Sequence, residues 1–586
     1  MSLTEKLSVL TGAAFVAEGF TADVGAVRMS DRPDLAQFQC NGAMAAAKQA
    51  KKNPRAVAEA VVGHLQQNPI FAKIEIAGPG FINLTLTDNA LNEHLGAMAT
   101  DTRCGIAPLV SGQTMILDYG GPNVAKAMHV GHLRTSIIGE ALRRMAGFCG
   151  YTAIGDVHMG DWGTQIGMVI SEFQIRHPEW VYFDESVTSG YPSEAPFAIA
   201  DLEEVYPFAA QACKDDEARK ELALIATVEL QNGRPGYRAL WQHIVNVSIA
   251  SMKANFDSLN VHFDWWKGES SVHDLIAPMV DDLLARGFAV KDDGATVIPV
   301  AREDDQKEFP PLMLYKRDGA VMYGTTDLAT IVERMQSNPS KIVYIVDQRQ
   351  SLHFEQVFRA AYKTGIAPDS VELIHAGNGT MNGSDGKPFK TRAGGVLRLE
   401  DLIESATQKA AERMKEANLA QDASADELAK TAHMVGVAAL KFADLQNQRQ
   451  SDYIFDLDRM TSFEGKTGPY MLYQAVRIKS LLRKAAAQGA LPGDKIVLGD
   501  ADRPLALLLT ELPDVVALAM RHYTPHVLCD YVYRLANAFS SFYGNCHILS
   551  EQDQVLRASR LRLCAMVLAQ LILVLDLLGI DVPERM

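Results

Sequence analysis

Apolar and polar residues alternate along Lys73–Thr87 (KIEIAGPGFINLTLT) on both sides of Gly78-Pro79-Gly80, the pattern of a β-hairpin. In its second arm Ile82, Leu84 and Leu86 share one face, while Phe81, Asn83, Thr85 and Thr87 share the other. An aromatic ring therefore stands on the polar side, either as an edge residue covered by a neighbouring helix or as a stacking platform for a splayed base. Ahead of it, Met44–Leu65 has helical spacing, broken and restarted at Pro54, with Lys48, Lys51, Lys52 and Arg55 along a basic edge. A strand over Met115–Tyr119 leads through the loop Gly120–Met128 into a helix from about His129 to Gly147. The stretch from about 171 to 299 is mostly helical in pattern, and strand-like runs return at Val321–Tyr323, Ile342–Val346 and Val371–His375. From about Leu397 onward nearly everything is helical. One helix starts at Gly468-Pro469 and puts Tyr470, Tyr473 and Arg477 on one face, flanked by Lys479, Arg483 and Lys484. The apolar run Met566–Ile580 is short for a bilayer span and carries Asp576, so it reads as a buried helix. This order predicts an α/β chain: a small N-terminal α/β unit, a parallel sheet interrupted by a large insertion, and an all-α C-terminal bundle.

Composition narrows the class without changing that picture. Of 586 residues, 48% are hydrophobic and 22% charged, which excludes a disordered, collagen-like or disulfide-miniprotein chain. The seven cysteines form no CxxC pair and no set with zinc spacing, so reduced thiols and a cytoplasmic setting are expected, with no resident metal. The N-terminus shows no secretory pattern, and no membrane partner is expected. A net charge of −15 argues against nucleic acid only weakly, because local basic stripes can act on an acidic body.

The chemistry concentrates in LDYGGPNVAKAMHVGHLRTSIIGEAL, Leu117–Leu142. His129 and His132, three apart where a strand hands over to a helix, point the same way. Gly131 between them leaves room for an adenine ring against the backbone. Helix N-terminal N–H groups favour phosphate there, and two imidazoles can donate to charge building on a pentavalent phosphorus. Asp118 stands at the C-terminal end of the strand, where open α/β sheets bind ligands. A second cluster, Met381–Gly395 (MNGSDGKPFKTRAGG), surrounds Lys387, Lys390 and Arg392 with glycines, as suits a loop closing over phosphates.

These strings together resemble the arginyl-tRNA synthetases, a family of class I aminoacyl-tRNA synthetases. HVGH corresponds to the family's HIGH signature, and Pro122–His132 (PNVAKAMHVGH) is similar to its arginine-specific form. His158–Met168 (HMGDWGTQIGM), Asp347–Gln356 (DQRQSLHFEQ) and the closing Glu584–Met586 (ERM) also look like that family. The resemblance implies a Rossmann-like catalytic domain over 111–396 with a largely helical insertion at about 171–299. It further implies an N-terminal tRNA-elbow domain over 1–110, a connector over 397–450 and an anticodon-binding bundle over 451–586.

By the same resemblance, arginine and ATP, with Mg2+, give arginyl-adenylate, and the arginyl group then passes to the terminal adenosine of its tRNA. His129 and His132 stabilise the phosphoryl transition state, and Gly131 and Lys387 contact ATP. Lys387–Thr391 (KPFKT) keeps only the lysine spacing of the family's KMSKS, so the part of Lys390 is shared with Lys126 upstream. Asp118, Asn123, Tyr323, Asp327 and Gln350 line the arginine pocket. Phe81, Asn83, Tyr473 and Arg477 contact tRNA, and the chain acts as a monomer. A guanidinium has five donors, so a pocket built for it rejects lysine, and the insertion should hold no editing site. Two other classes share the HxGH signal: small nucleotidylyltransferases, and an RNA-binding homologue without activity.

Overall fold

The structure, a computed structural model, describes residues 1–32, 34–383, 385–387, 397–419, 423–499 and 501–586. It comprises two compact units that interleave along the chain. One holds Met1–Leu109, Arg413–Ala438 and Ser462–Met586; the other holds Val110–Glu412 and Ala439–Thr461.

In the first unit, α1 (Leu3–Ala17) opens with a reciprocal cap: Ser2 Oγ accepts the Glu5 N–H while the Glu5 carboxylate accepts the Ser2 N–H. The strands β1 (Val27–Met29), β2 (Phe38–Cys40), β3 (Phe71–Ala77) and β4 (Phe81–Leu86) form an antiparallel sheet in the order β1-β2-β4-β3. The helical run splits where Pro54 requires, into α2 (Gly42–Ala50) and α3 (Pro54–Leu65), with Asn53 capping the restart through the Arg55 N–H. Ile82, Leu84 and Leu86 are fully buried on one face of β4, and α4 (Asp88–Ala99) follows.

In the second unit, β5 (Thr114–Asp118), α5 (Val130–Phe148) and β6 (Thr152–Asp156) make a right-sized β-α-β step. The insertion contributes α6 (Thr164–Arg176), α7 (Ile199–Asp215), α8 (Glu217–Gln231), α9 (Pro235–Ser258) and α10 (His273–Ala285). It ends in two strands that the helical reading of the sequence overlooks, β7 (Val290–Asp292) and β8 (Ala295–Ile298), which with β9 (Leu312–Tyr315) beyond it form an antiparallel three-stranded sheet. The strand expected at Val321–Tyr323 is not one. The turn at Asp318-Gly319 folds the chain back so that Val321 makes a single bridge with Tyr315. Tyr323 then opens α11 (Tyr323–Met335), held to β9 by the Thr325 hydroxyl on Leu314 O at 2.6 Å.

The strand β10 (Lys341–Tyr344), the helix α12 (Ser351–Thr364) and β11 (Glu372–His375) complete a parallel sheet in the order β11-β10-β5-β6. Its core joins Ile116, Ile342 and Tyr344 to Leu328, Ile331, Phe354 and Val357. The short strand β12 (Met381–Asn382) pairs in parallel with β13 (Tyr453–Ile454), between which come α13 (Leu399–Glu416) and α14 (Ala425–Leu445).

Back in the first unit, α15 (Leu457–Met460) having closed the second, five helices form the bundle: α16 (Gly468–Ala487), α17 (Arg503–Leu509), α18 (Leu512–His522), α19 (His526–Asn545) and α20 (Gln554–Leu577). By length and composition α20 could cross a membrane, but Leu561, Leu563, Val567, Leu571, Val574 and Leu575 are fully buried. It is a core helix, as its Asp576-bearing sequence suggests. The N-terminal sheet is tied to this bundle within the same unit: Arg503 donates to Leu86 O at 2.6 Å and pairs with Asp88, and Thr4 donates to Asp514 at 2.6 Å.

Candidate active site

The loop after β5 delivers His129 to the start of α5 as its N-cap, in extended backbone. The Gly131 N–H donates to His129 Nδ1 at 3.0 Å, and the His129 N–H donates to His132 Nδ1 at 3.1 Å. The rings lie 4.1 Å apart, centroid to centroid. Each Nδ1 is thus an acceptor, so each ring proton sits on Nε2. Burial pushes His132 down to about 3, with His129 and Lys126 adding to the effect, and lowers His129 for the same reason together with Lys126. Both rings are neutral at pH 7 and present Nε2–H donors. A Cβ on Gly131 would fall 2.7 Å from the His129 ring, so the cap itself demands glycine there before any adenine arrives. Residues 397–399 brace this turn: the Val130 N–H donates to Leu397 O at 3.0 Å and His129 bridges Arg398.

At the C-terminal ends of β5 and β6, Asp118 and Asp156 share a fully buried guanidinium. Arg334, on α11, places Nη2 2.6 Å from Asp118 and 2.7 Å from Asp156. The loop before α5 pairs with the segment after β6, where Asn123 bridges Gly160 and the Val124 N–H donates to Gly160 O at 3.1 Å. That segment also carries Asp161, which accepts the Ser270 N–H at 2.9 Å and its hydroxyl at 2.5 Å. Next to Ser270, Glu269 is pinned by its N–H on Met159 O at 3.0 Å. Burial, then Asp161 and Asp327, push the Glu269 carboxyl up to about 8. Asp327 is engaged by His353 Nε2 at 2.5 Å, and this bond raises His353. Among the described residues no three His, Cys, Asp or Glu side chains are arranged to hold a metal ion.

The arrangement therefore has two ends, a pair of ring N–H donors at a helix start and a cluster of acids, with the Glu269 carboxyl pushed up to about 8, suited to a cation. Comparison with known proteins identifies the family. Residues 97–457 match the model of class I (R) tRNA synthetase catalytic domains, 471–586 the DALR anticodon-binding domain, and 5–86 the arginyl-tRNA synthetase N-terminal domain. The arginine–tRNA ligase of Maricaulis maris is 50% identical over 100% of both chains, and that of Agathobacter rectalis 48% identical over 98% of each. This chain belongs to the arginyl-tRNA synthetase family. In fold it is similar to the solved arginyl-tRNA synthetases of Plasmodium falciparum (TM-score 0.79, 23% identity, 100% of this chain and 99% of that one) and Thermus thermophilus (0.78, 21%, 100% of each).

Within this synthetase fold, the residues singled out in the sequence fall into four groups. His129, Gly131, His132 and Lys126 stand together at the start of α5, Lys126 half-buried. Asp118, Asn123 and Asp327 line the acidic side; Tyr323 stands four residues before Asp327 on α11, 70% exposed, and Gln350 is an exposed residue just before α12. Asp118 is already paired with Arg334, so it reaches a substrate only as a shared carboxylate. Lys387 is exposed and closes a turn, its carbonyl accepting the Gly383 N–H at 2.8 Å; Lys390 lies outside the described residues.

Phe81, Asn83, Tyr473 and Arg477 belong to the other compact unit. Asn83 is buried and accepts from Gln39 at 2.9 Å, so its polar face is less open than the strand alternation suggests. Phe81 is half-buried against the Gly78 turn. Arg477 lies over the Tyr543 ring at 4.4 Å, and Tyr473 is half-buried beside it on α16.

Sequence reasoning missed Glu269, Asp161, Arg334 and His353. A faint signal existed for one pair: Gly268 sits where a Cβ would come within 2.4 Å of the Asp161 carboxyl, which makes the glycine of WWKGES compulsory.

Proposed function

We propose that this chain charges arginine onto tRNA through the residues gathered at the two ends of the site. ATP supplies the adenylyl group. The arginine carboxylate attacks its α-phosphorus, a P–O bond forms, and pyrophosphate leaves. A terminal hydroxyl of the tRNA then attacks the arginyl carbonyl, and AMP departs. His129 and His132 donate through Nε2–H to the charge that grows on the phosphorus oxygens, which requires no proton transfer because both rings are already in the donor form. Lys126, Lys387 and Lys390 supply positive charge to the phosphates, with Gly131 beneath the adenine. Mg2+ enters as part of the ATP substrate, carried on its phosphates and water.

Glu269 and Asp327 receive the guanidinium, with Tyr323 at the mouth, Asn123 and Gln350 toward the α-amino and carboxylate end, and Asp118 contributing through its Arg334 pair. Phe81, Asn83, Tyr473 and Arg477 contact tRNA. The chain works as a monomer in the cytoplasm, with the domain limits 1–110, 111–396, 397–450 and 451–586.

The observation that carries this reading is the pair of imidazoles at the start of α5, on the element that follows the strand ending at Asp118, together with the acid cluster of Asp161, Glu269 and Asp327. Charging assays with radiolabelled amino acids, one at a time, with total tRNA, ATP and Mg2+, test it. Arginine alone should be incorporated. Incorporation of nothing would hand the chain to the inactive RNA-binding class.

A further inference from the structure

His158 lies two residues beyond β6 with φ at 31°, a left-handed backbone that a residue with a Cβ adopts only under constraint. The constraint is visible on both sides. The Val157 N–H donates to Trp265 O at 3.2 Å, the Met159 N–H to Lys267 O at 2.8 Å, and the Gly160 N–H to Pro122 O at 3.2 Å. The bond from the Glu269 N–H to Met159 O belongs to the same set of ties, so the pairing that bends the chain at His158 also anchors the backbone of Glu269 to the next residue.

The ring is oriented as well. Nε2 lies 3.5 Å from the Thr330 hydroxyl oxygen. That hydroxyl spends its own proton on Thr326 O at 2.9 Å, so towards His158 it can only accept. Nε2 therefore carries the ring proton and Nδ1 the lone pair. Nδ1 is buried and has no hydrogen-bond partner among the described residues. Buried acceptors are almost always satisfied, and one held by a constrained backbone is poised for a donor that arrives from outside. Asp118 and Asp161 both lie within electrostatic reach of the ring, and their charge favours a cationic donor there.

We propose that His158 is a substrate-binding residue of the arginine pocket, its Nδ1 accepting a hydrogen bond from a guanidinium N–H of L-arginine. The assignment rests on the reaction proposed above. Two carboxylates offer four oxygens to five guanidinium N–H donors, and an imidazole nitrogen takes the remaining one without adding negative charge to a pocket already rich in acids. An uncharged analogue with a carbonyl in place of one amino group would set acceptor against acceptor at Nδ1 and be rejected.

The test uses the full-length enzyme, with arginine charging by the wild type established first. H158N keeps an acceptor at the position of Nδ1 and tolerates left-handed backbone, whereas H158L keeps bulk without an acceptor. H158L should raise the KM for arginine roughly 10–100-fold, the loss of a hydrogen bond to a charged group, with the KM for ATP unchanged. H158N should stay within about threefold of wild type, as an acceptor that still makes the bond. In 15N-histidine NMR of the wild type with tRNA, the Nδ1 resonance that H158N lacks should move on addition of L-arginine and stay still with ATP alone. A resonance unmoved at saturating arginine, or equal rises in both KM values, would overturn the assignment. If H158L does not fold, the NMR result decides. A wild type that charges no arginine overturns the reaction and this assignment together; normal charging with a silent His158 resonance overturns the assignment alone.

Discussion

Burial acts on both ends of the active site and has opposite consequences. At the start of α5 it disfavours the charge on His129 and His132, and in the proposed reaction neutrality is their working state, because an Nε2–H donates without titrating. In the acid cluster it pushes the Glu269 carboxyl up to about 8, and under the proposal neutrality is only a resting state, because a guanidinium cannot be held well by a protonated acid. In the proposed reaction one end is finished before substrate arrives and the other is completed by it. Preorganised donors serve the transition state, while an acid that ionises on binding serves selection of the substrate.

The largest effect should come from breaking the finished end. His132→Ala removes a fixed donor and should lower kcat about 10²–10³-fold with the KM for arginine nearly unchanged, measured by steady-state charging. A comparable rise in the KM for arginine instead would mean the two ends are not separable.

At the other end, Glu269→Gln should raise the KM for arginine by about 30-fold or more and leave that for ATP alone. The same carboxyl sets a pH dependence. Below about 8 the free protein carries the Glu269 proton and the arginine complex does not, so binding releases a proton and affinity rises with pH until about 8. Between pH 6 and 7.5 the dissociation constant should fall by up to roughly tenfold per unit, the limit for one proton. Calorimetry in two buffers of different ionisation enthalpy would count the proton, and Glu269→Gln should abolish its release. Over the same range His132, held down to about 3, should leave kcat flat.

The smallest effect tests the other compact unit. Phe81→Ala and Arg477→Ala should each raise the KM for tRNA severalfold, as losses of single stacking or cation–π contacts do, without touching that for ATP. Equal changes in both would remove these residues from the tRNA surface.

What the sequence disclosed follows the range of the forces involved. The hairpin around Gly78-Pro79-Gly80, the restart at Pro54 and the strand-to-helix hand-over at HVGH are decided within a few residues, and each is legible. The pocket acids are not. Glu269 reaches the site because its N–H bonds Met159, and Asp161 because Ser270 caps it 109 residues later in the chain. Arg334 reads locally as an ordinary basic residue in a helix's last turn, and only the fold shows it buried between Asp118 and Asp156. The strand expected at Val321–Tyr323 failed for a related reason: a three-residue apolar run has no period of its own, and the Gly319 turn decided its fate.

The ion pair between Asp88 and Arg503 joins residues 415 positions apart within one compact unit. On a ribosome adding about 5–20 residues per second, the N-terminal sheet would wait roughly 20–80 s for its helical partner to be made. Throughout that interval the surface that Leu86 and Asp88 later present to Arg503 faces water or a chaperone. The last helices made are thus the closing piece of the first domain begun, and a chain truncated before Arg503 leaves its opening hundred residues without the partner that completes them.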